Sequence, residues 1–302
     1  MRKGSIILYL ISFFTFAQQE PFISNFRYQM SLFNPAYAGA EGNNSIAFTT
    51  RNKWVAIENS PKTQVMTFSS ERANNIGLGL SFISNNFFVD RNTASYVDIS
   101  YRLQVSESSA LFLGIKAGAT FYKSNLLGLT SLGNELDPAQ TSTSRVNPNM
   151  GVGSFFQTPS FWFSFSIPRL FNTTDNYEFS ESSTDRVHTY VGTGLTLNLN
   201  ENLFFKPSVL IRSVSNLNTT ADFVALLSFK NYLNFGTTYR TTNTLGFLAS
   251  ISIIDFADIG YSYETPMDSG LSTLKINTHE IFLRFSFGQK TSVSSQLSQE
   301  EE

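Results

Sequence analysis

A two-residue alternation of apolar and polar side chains, restarted about fourteen times along the chain, limits its possible folds more than any other feature. In Thr278–Phe287, residues Ile281, Leu283, Phe285 and Phe287 share one face. Glu280, Arg284 and Ser286 share the other, with Phe282 as an apolar exception. Successive side chains of a strand point to opposite faces, so this stretch has one greasy and one charged surface. Ile76, Leu78, Leu80 and Phe82 alternate with Gly77, Gly79 and Ser81, and the pattern recurs through Val97–Val105 and Leu111–Phe121. Phe161–Ile167, Val187–Leu199, Leu203–Arg212, Asp222–Lys230, Leu233–Arg240, Leu245–Ile253 and Ile259–Glu264 continue it. Ser45–Arg51 opens the series with Ile46 and Phe48 on one face; Thr63–Ser70 is weaker, and Asn149–Gln157 is glycine-rich and ambiguous.

A soluble sandwich alternates as well, with its apolar face turned inward. The connections separate the two cases. With the first strand running outward, those at one end include Arg51–Pro61, Asn85–Asn92, Lys123–Pro148, Arg169–Asp185 and Thr265–Asn277, which are all the long ones. Those at the other end are tight: Glu71–Asn75, Ser106–Ser108, Thr158–Pro159, Asn200–Asn202, Lys230–Asn231 and Asp255–Asp258. Short turns inside and long loops outside are the outer-membrane arrangement. No mature segment approaches the ~20 apolar residues of a spanning helix, so a membrane form must be a closed cylinder without sheet edges. The expectation is an all-β transmembrane antiparallel barrel over residues 45–287, closed, with about fourteen strands, integral to the outer membrane. Thr278–Phe287 is its last strand and pairs with its first.

Targeting signals agree. Arg2 and Lys3 precede the apolar run Ile6–Phe16, and Thr15-Phe16-Ala17 resembles a cleavage site, so residues 1–17 read as a signal peptide. The counts Phe 30 and Tyr 12 suit lipid-facing walls and interfacial girdles. A net charge of -2 gives no reason to expect a nucleic-acid partner. The absence of cysteine excludes disulfides, thiolate metal sites, Cys nucleophiles and lipidation at an N-terminal Cys. Residues 18–44 contain Asn34-Pro35-Ala36-Tyr37-Ala38-Gly39, rich in breakers. This lead-in on the periplasmic side is either a plain surface loop or a hatch folded into the barrel. Residues 288–302 form a polar tail ending in the solvated Glu300–Glu302.

Signals for chemistry are sparse. His188 and His279 are the two histidines, both read as inward, and they form no i,i+2 or i,i+4 pair. With no cysteine, neither a metal site nor a cofactor is expected. No Gly-x-Ser-x-Gly occurs on a strand-to-helix turn, so no catalytic residue is assigned and the protein is not expected to be an enzyme. The inward list is Asp98, Arg102, Lys116, His188, Lys206, Arg212, Asp222, Arg240, Glu264, Glu280 and Arg284. Mixed signs spread over many strands read as cross-strand pairs bracing a plugged lumen rather than as a selective channel lining. Arg51, Trp54, Pro61 and Thr63 are placed in the first outer loop, with Trp54 as a girdle aromatic.

An ordered set of short motifs carries a family resemblance over almost the whole mature length. It comprises Asn34-Pro35-Ala36-Tyr37-Ala38-Gly39, then Arg51…Trp54…Pro61-x-Thr63, then Gly77-Leu78-Gly79. Pro148-Asn149-Met150-Gly151-Val152-Gly153 and Phe165-Ser166-Ile167-Pro168 follow. Phe235-Gly236-x-x-Tyr239-Arg240, Gly260-Tyr261-Ser262-Tyr263-Glu264 and His279-Glu280-Ile281 complete it. In this it resembles the PorP/SprF outer-membrane proteins of the type IX secretion and gliding machinery of Bacteroidota. Glu264 stands where that family usually has Asp, and the tail after Phe287 is longer than the family pattern suggests. The resemblance implies an accessory barrel that supports export or surface anchoring of a specific, large, adhesin-like protein with a C-terminal sorting domain. Outer-membrane lipid and the other type IX components would be its further partners. Asn34-Pro35-Ala36 is also similar to the hatch motif of FadL-type transporters of small hydrophobic molecules, the alternative function. An open, conducting lumen would instead mark a general porin.

Overall fold

Ser45, Ala47, Thr49 and Arg51 on β1 (Asn44–Lys53) are buried while Phe48 between them is exposed, the reverse of a soluble strand. Small and polar side chains go inside; Ile and Phe are left for lipid. That inversion recurs around a closed sheet in the computed structural model, which describes residues 23–55, 57–72, 74–125, 142–171, 187–214, 218–254, 256–267 and 277–287. The sheet continues through β2 (Lys62–Glu71), β3 (Ile76–Phe87), β4 (Asp90–Ser106), β5 (Ser109–Asn125) and β6 (Ser142–Gln157). It goes on with β7 (Phe161–Arg169), β8 (His188–Leu195), β9 (Leu197–Asn200), β10 (Leu203–Val214) and β11 (Thr220–Phe229). β12 (Leu233–Arg240), β13 (Thr244–Ile254), β14 (Ala257–Pro266) and β15 (Thr278–Phe287) complete it. β8 and β9 both pair with β10 and are two halves of one strand interrupted at Thr196. Counted so, the molecule is a closed antiparallel barrel of 14 strands. β15 pairs with β1 from Asn44↔Phe287 to Lys53↔Thr278, which leaves neither of these terminal strands with an open edge.

The strands differ in height. β12 has 8 residues, whereas β4 and β5 have 17 each and β6 has 16. About ten residues suffice to cross the hydrocarbon, so the β3–β6 wall stands well above it. Two expected loops are corrected here. Residues 85–92 form two continuing strands around a tight turn at Phe88–Val89, with Phe87 opposite Asp90. Strand pairing likewise extends through 123–125 and 142–148 of the second, with Asn125 opposite Ser142; the rest of that loop lies outside the described residues. Above the hydrocarbon both faces of a strand meet polar surroundings, headgroups or water, so the alternation that marks a strand in sequence disappears.

Residues 23–43 lie inside the cylinder. They form a 3-10 turn at Phe26–Gln29, a single helical turn α1 (Met30–Phe33) and a second 3-10 turn at Pro35–Tyr37. Asn34 caps the last of these by accepting from the Ala36 N–H at 2.9 Å, and Pro35 occupies the first position, where its missing N–H costs nothing. Ile23, Phe26, Met30, Leu32 and Phe33 pack on inward Val65, Ile83, Tyr96, Tyr190, Leu210, Val224, Leu226 and Leu248. The polar interior expected from sequence is therefore corrected in part: at these eight wall positions, which face the apolar side chains of the segment, the wall is apolar. Burial of each large side chain is worth about 1.5–3 kcal/mol against exposing it to water. Phe282, the apolar exception of the closing strand, is fully buried and stacks on Tyr28 at 4.4 Å between ring centroids. Residues 1–17 and 288–302, read as signal peptide and tail, lie outside the described residues. No helix among the described residues is long and apolar enough to cross a membrane.

Candidate functional site

The interior is a built interface between residues 23–43 and the wall, in three zones. The first is ionic and sits within three residues of the outer strand ends. Arg51 is 1% exposed and bridges two buried carboxylates, with Nη2 to Glu264 Oε2 at 2.5 Å and Nη1 to Glu280 Oε2 at 2.9 Å. Register explains the second contact, because Arg51 on β1 stands directly opposite Glu280 on β15. Arg240 extends the network to Glu264 at 3.1 Å and to Asp222, its register partner, at 2.8 Å. The segment docks on this cluster: the Ser24 and Asn25 backbone N–H groups donate to Glu280 at 2.9 and 3.0 Å, and Arg51 donates to Ser24 Oγ at 2.8 Å. Ser24 Oγ also donates to Glu264. A buried carboxylate is tolerable only when its lone pairs are filled, and Glu280 accepts from three backbone or amide donors besides Arg51.

The second zone is at mid-height. Lys116 pairs with its register partner Asp98 at 3.0 Å and donates to the Ser31 carbonyl at 3.2 Å. Asn34 donates to Ser164 Oγ and the Ser154 carbonyl, both at 2.8 Å, and Ser166 donates to the Phe33 carbonyl at 2.8 Å. The backbone groups of a short irregular segment are thus satisfied by wall side chains rather than by water.

The third zone is at the periplasmic end, where glycines bring the wall backbone close to the segment. Cβ atoms at Gly77, Gly114 and Gly153 would collide with the Ala38 carbonyl oxygen, the Ala36 backbone and Asn34 Oδ1 respectively. These glycines let residues 34–39 lie directly on strand backbone. Gly39, at φ +74°, makes the exit turn and donates its N–H to Ser69 Oγ at 2.8 Å. Gln157 holds the Ala40 carbonyl at 3.0 Å, and Arg284 pairs with Glu41, which also accepts from the Tyr37 hydroxyl at 2.8 Å. From Ser24 to Glu41 the segment therefore spans the lumen from its outer third to its periplasmic rim.

Most of the expected inward charges meet here. Asp98, Lys116, Asp222, Arg240, Glu264, Glu280 and Arg284 all form interior ion pairs, and Arg102 pairs with Glu71 at 3.5 Å. Lys206 faces inward and donates to Asn231 at 2.7 Å, and Arg212 and His188 are buried in the lumen. Three placements are corrected. Arg51 is not in a loop but at the centre of the network, and Thr63 lies in β2 opposite it. His279 faces outward, with Nδ1 2.7 Å from the Tyr261 hydroxyl and its ring edge-on to Tyr263, because it shares parity with Ile281 rather than Glu280. Trp54 does sit in the loop after β1, at φ 54°, edge-on to Phe87. Sequence reasoning missed Arg51, Ser24 and Asn25. Only Arg51 left a signal, since it continues the inward series Ser45, Ala47, Thr49. The two histidines sit on opposite faces of the wall, and among the described residues no cluster of His, Asp and Glu could hold a metal ion.

A closed cylinder with a greasy exterior and a lumen occupied by its own N-terminal segment is an integral outer-membrane barrel. More particularly, the chain belongs to the type IX secretion system membrane protein PorP/SprF family, whose model matches residues 15–285. No curated protein matches it. Among solved structures it is similar to the CymD monoaromatic hydrocarbon channel, at 11% identity and TM-score 0.54, covering 87% of this chain and 94% of that one. It is also similar to the Ralstonia pickettii toluene transporter TbuX, at 11% identity and TM-score 0.48 over 86% and 92%. A third is Acinetobacter baumannii Omp33, at 8% identity and TM-score 0.47 over 82% and 100%. At such identity CymD speaks for the fold alone.

Proposed function

We propose that the protein is a non-enzymatic accessory barrel of type IX secretion and gliding. It supports export or surface anchoring of one particular large adhesin-like protein bearing a C-terminal sorting domain. The outer loops engage that substrate, and the periplasmic turns face the rest of the machinery. The observation that carries this reading is the filled lumen of a secretion-family barrel. Among the described residues, a segment hydrogen-bonded to the wall from Ser24 to Gly39 occupies the lumen, which favours a protein that acts through its surfaces. The FadL-like alternative needs an apolar path across the interior; the buried Arg51–Glu264–Glu280 and Lys116–Asp98 pairs stand in its way. Deletion followed by surface proteomics tests the proposal. Loss of one or a few large secreted proteins, with small-solute uptake intact, is the expected result. Normal secretion with impaired uptake of fatty acids or hydrocarbons would overturn it.

A further inference from the structure

On the outward wall, Lys62, Asn86, Arg91 and Lys123 stand in one register row across β2, β3, β4 and β5, through Lys62↔Asn86, Asn86↔Arg91 and Arg91↔Lys123. They share the outward parity: one position further along each strand the side chains face the lumen, as the buried Val65, Ile83 and Ala94 show. Lys62, Arg91 and Lys123 are exposed, and among the described residues none of them has an ion-pair partner. Arg91 and Lys123 oppose each other directly as like charges. Such a pair destabilises a sheet unless an anion lies against it.

The row's height identifies the anion. Two residues nearer the membrane the register row is Gln64–Ser84–Thr93–Phe121, and four residues nearer it is Met66–Phe82–Ser95–Ala119. Below that, Phe68, Leu80, Val97 and Ala117 form continuous greasy wall. Four residues cover about 13 Å of strand, and with a tilt of roughly 40° the cations stand about 10 Å above the hydrocarbon edge. That is headgroup level, on the face that lipid already covers. We propose that Lys62, Arg91 and Lys123 form a binding site for the phosphate groups of a phosphorylated outer-leaflet lipid. Its acyl chains lie on Phe82 and Val97 below. Arg91 offers a planar fork that matches two phosphate oxygens, and the flanking lysines add point charges on flexible stems that reach down to the headgroup plane. The site rests on the outer-membrane placement and not on the export role, so either can fail alone.

The test uses the full mature chain in non-ionic detergent, titrated with diphosphorylated lipid A, its dephosphorylated form, inorganic phosphate or a polyglutamate peptide. The triple variant K62Q/R91Q/K123Q is compared with wild type and with K230Q, a change at a turn on the opposite rim. Heat-shifted gel mobility confirms folding; if the triple fails there, single R91Q takes its place. The expected result is at least tenfold weaker binding of diphosphorylated lipid A by the triple, or threefold by R91Q. K230Q binds as wild type, and the dephosphorylated lipid does not distinguish the variants. Equal binding of diphosphorylated lipid A by wild type and triple would overturn the site. So would inorganic phosphate binding as tightly as the lipid, which marks an adventitious ion only. Polyglutamate binding more tightly than the lipid, and lost in the triple, would reassign the row to an acidic protein partner.

Discussion

Arg51 is the residue on which the interior depends most. It is the only cation within 3 Å of both Glu264 and Glu280 among the described residues, and each carboxylate is 3% exposed or less. Replacing a buried ion pair with apolar side chains can be neutral, but removing one partner strands the other. Among the described residues, Arg51→Ala leaves Glu280 with no cation within salt-bridge distance and Glu264 with Arg240 alone, so a loss of about 3–5 kcal/mol is expected. Guanidinium unfolding of the detergent-solubilised barrel reads this as a lowered midpoint. Because Ser24 and Asn25 dock on the same cluster, limited proteolysis should cut near them faster in the variant than in wild type. An unchanged midpoint would mean that the network braces nothing. Trp54 and Phe88, at φ 54° and 53°, hold bulky side chains in the left-handed region at the outer rim, a conformation few such residues adopt.

At the scale of elements, the N-terminal segment and the glycine floor fit as a pair. Gly77 on β3 and Gly153 on β6 are needed because strand backbone and residues 34–38 touch, not because of any turn. Gly77→Val and Gly153→Val should lift the segment off the wall while leaving the strand ladders paired. In planar bilayers wild type should show no steady ion conductance, and the double variant should show open events. This half of the design was only partly legible beforehand. The strands were legible wherever lipid forces alternation, as in Ile76–Phe82 and Thr278–Phe287. They were not at Ser84–Asn86 or Arg91–Thr93, which lie above the hydrocarbon, where polar side chains are tolerated on the outward face as well as the inward one. Inward Ile83, Leu210, Val224, Leu226 and Leu248 contradict the rule of a polar interior, because their neighbour is a packed segment and not water. For Asn34-Pro35-Ala36 the breakers fixed the local turn but not its address; that depended on glycines more than forty residues away along the chain.

Taken whole, the molecule is a barrel whose cross-section is spent on holding its own chain. Expelling Ile23, Phe26, Met30, Leu32 and Phe33 to water would cost roughly 10 kcal/mol in apolar burial, offset in part by the freedom the released segment regains. Passage through the lumen would first require this packing to be undone. If the protein works by its surfaces, fixing the segment in place should change nothing. The chain has no cysteine, so one introduced pair is unambiguous. A Cβ at Gly79 would lie 3.2 Å from the Ala38 Cβ, a few tenths of an ångström inside the usual disulfide range. Ala38→Cys with Gly79→Cys should therefore cross-link the segment to β3 on oxidation, seen as a mobility shift reversed by reductant. Cells carrying the oxidised pair should display the dependent surface protein at wild-type levels. Loss of that protein on oxidation, restored by reductant, would show instead that the segment must move and that the lumen is on the export path.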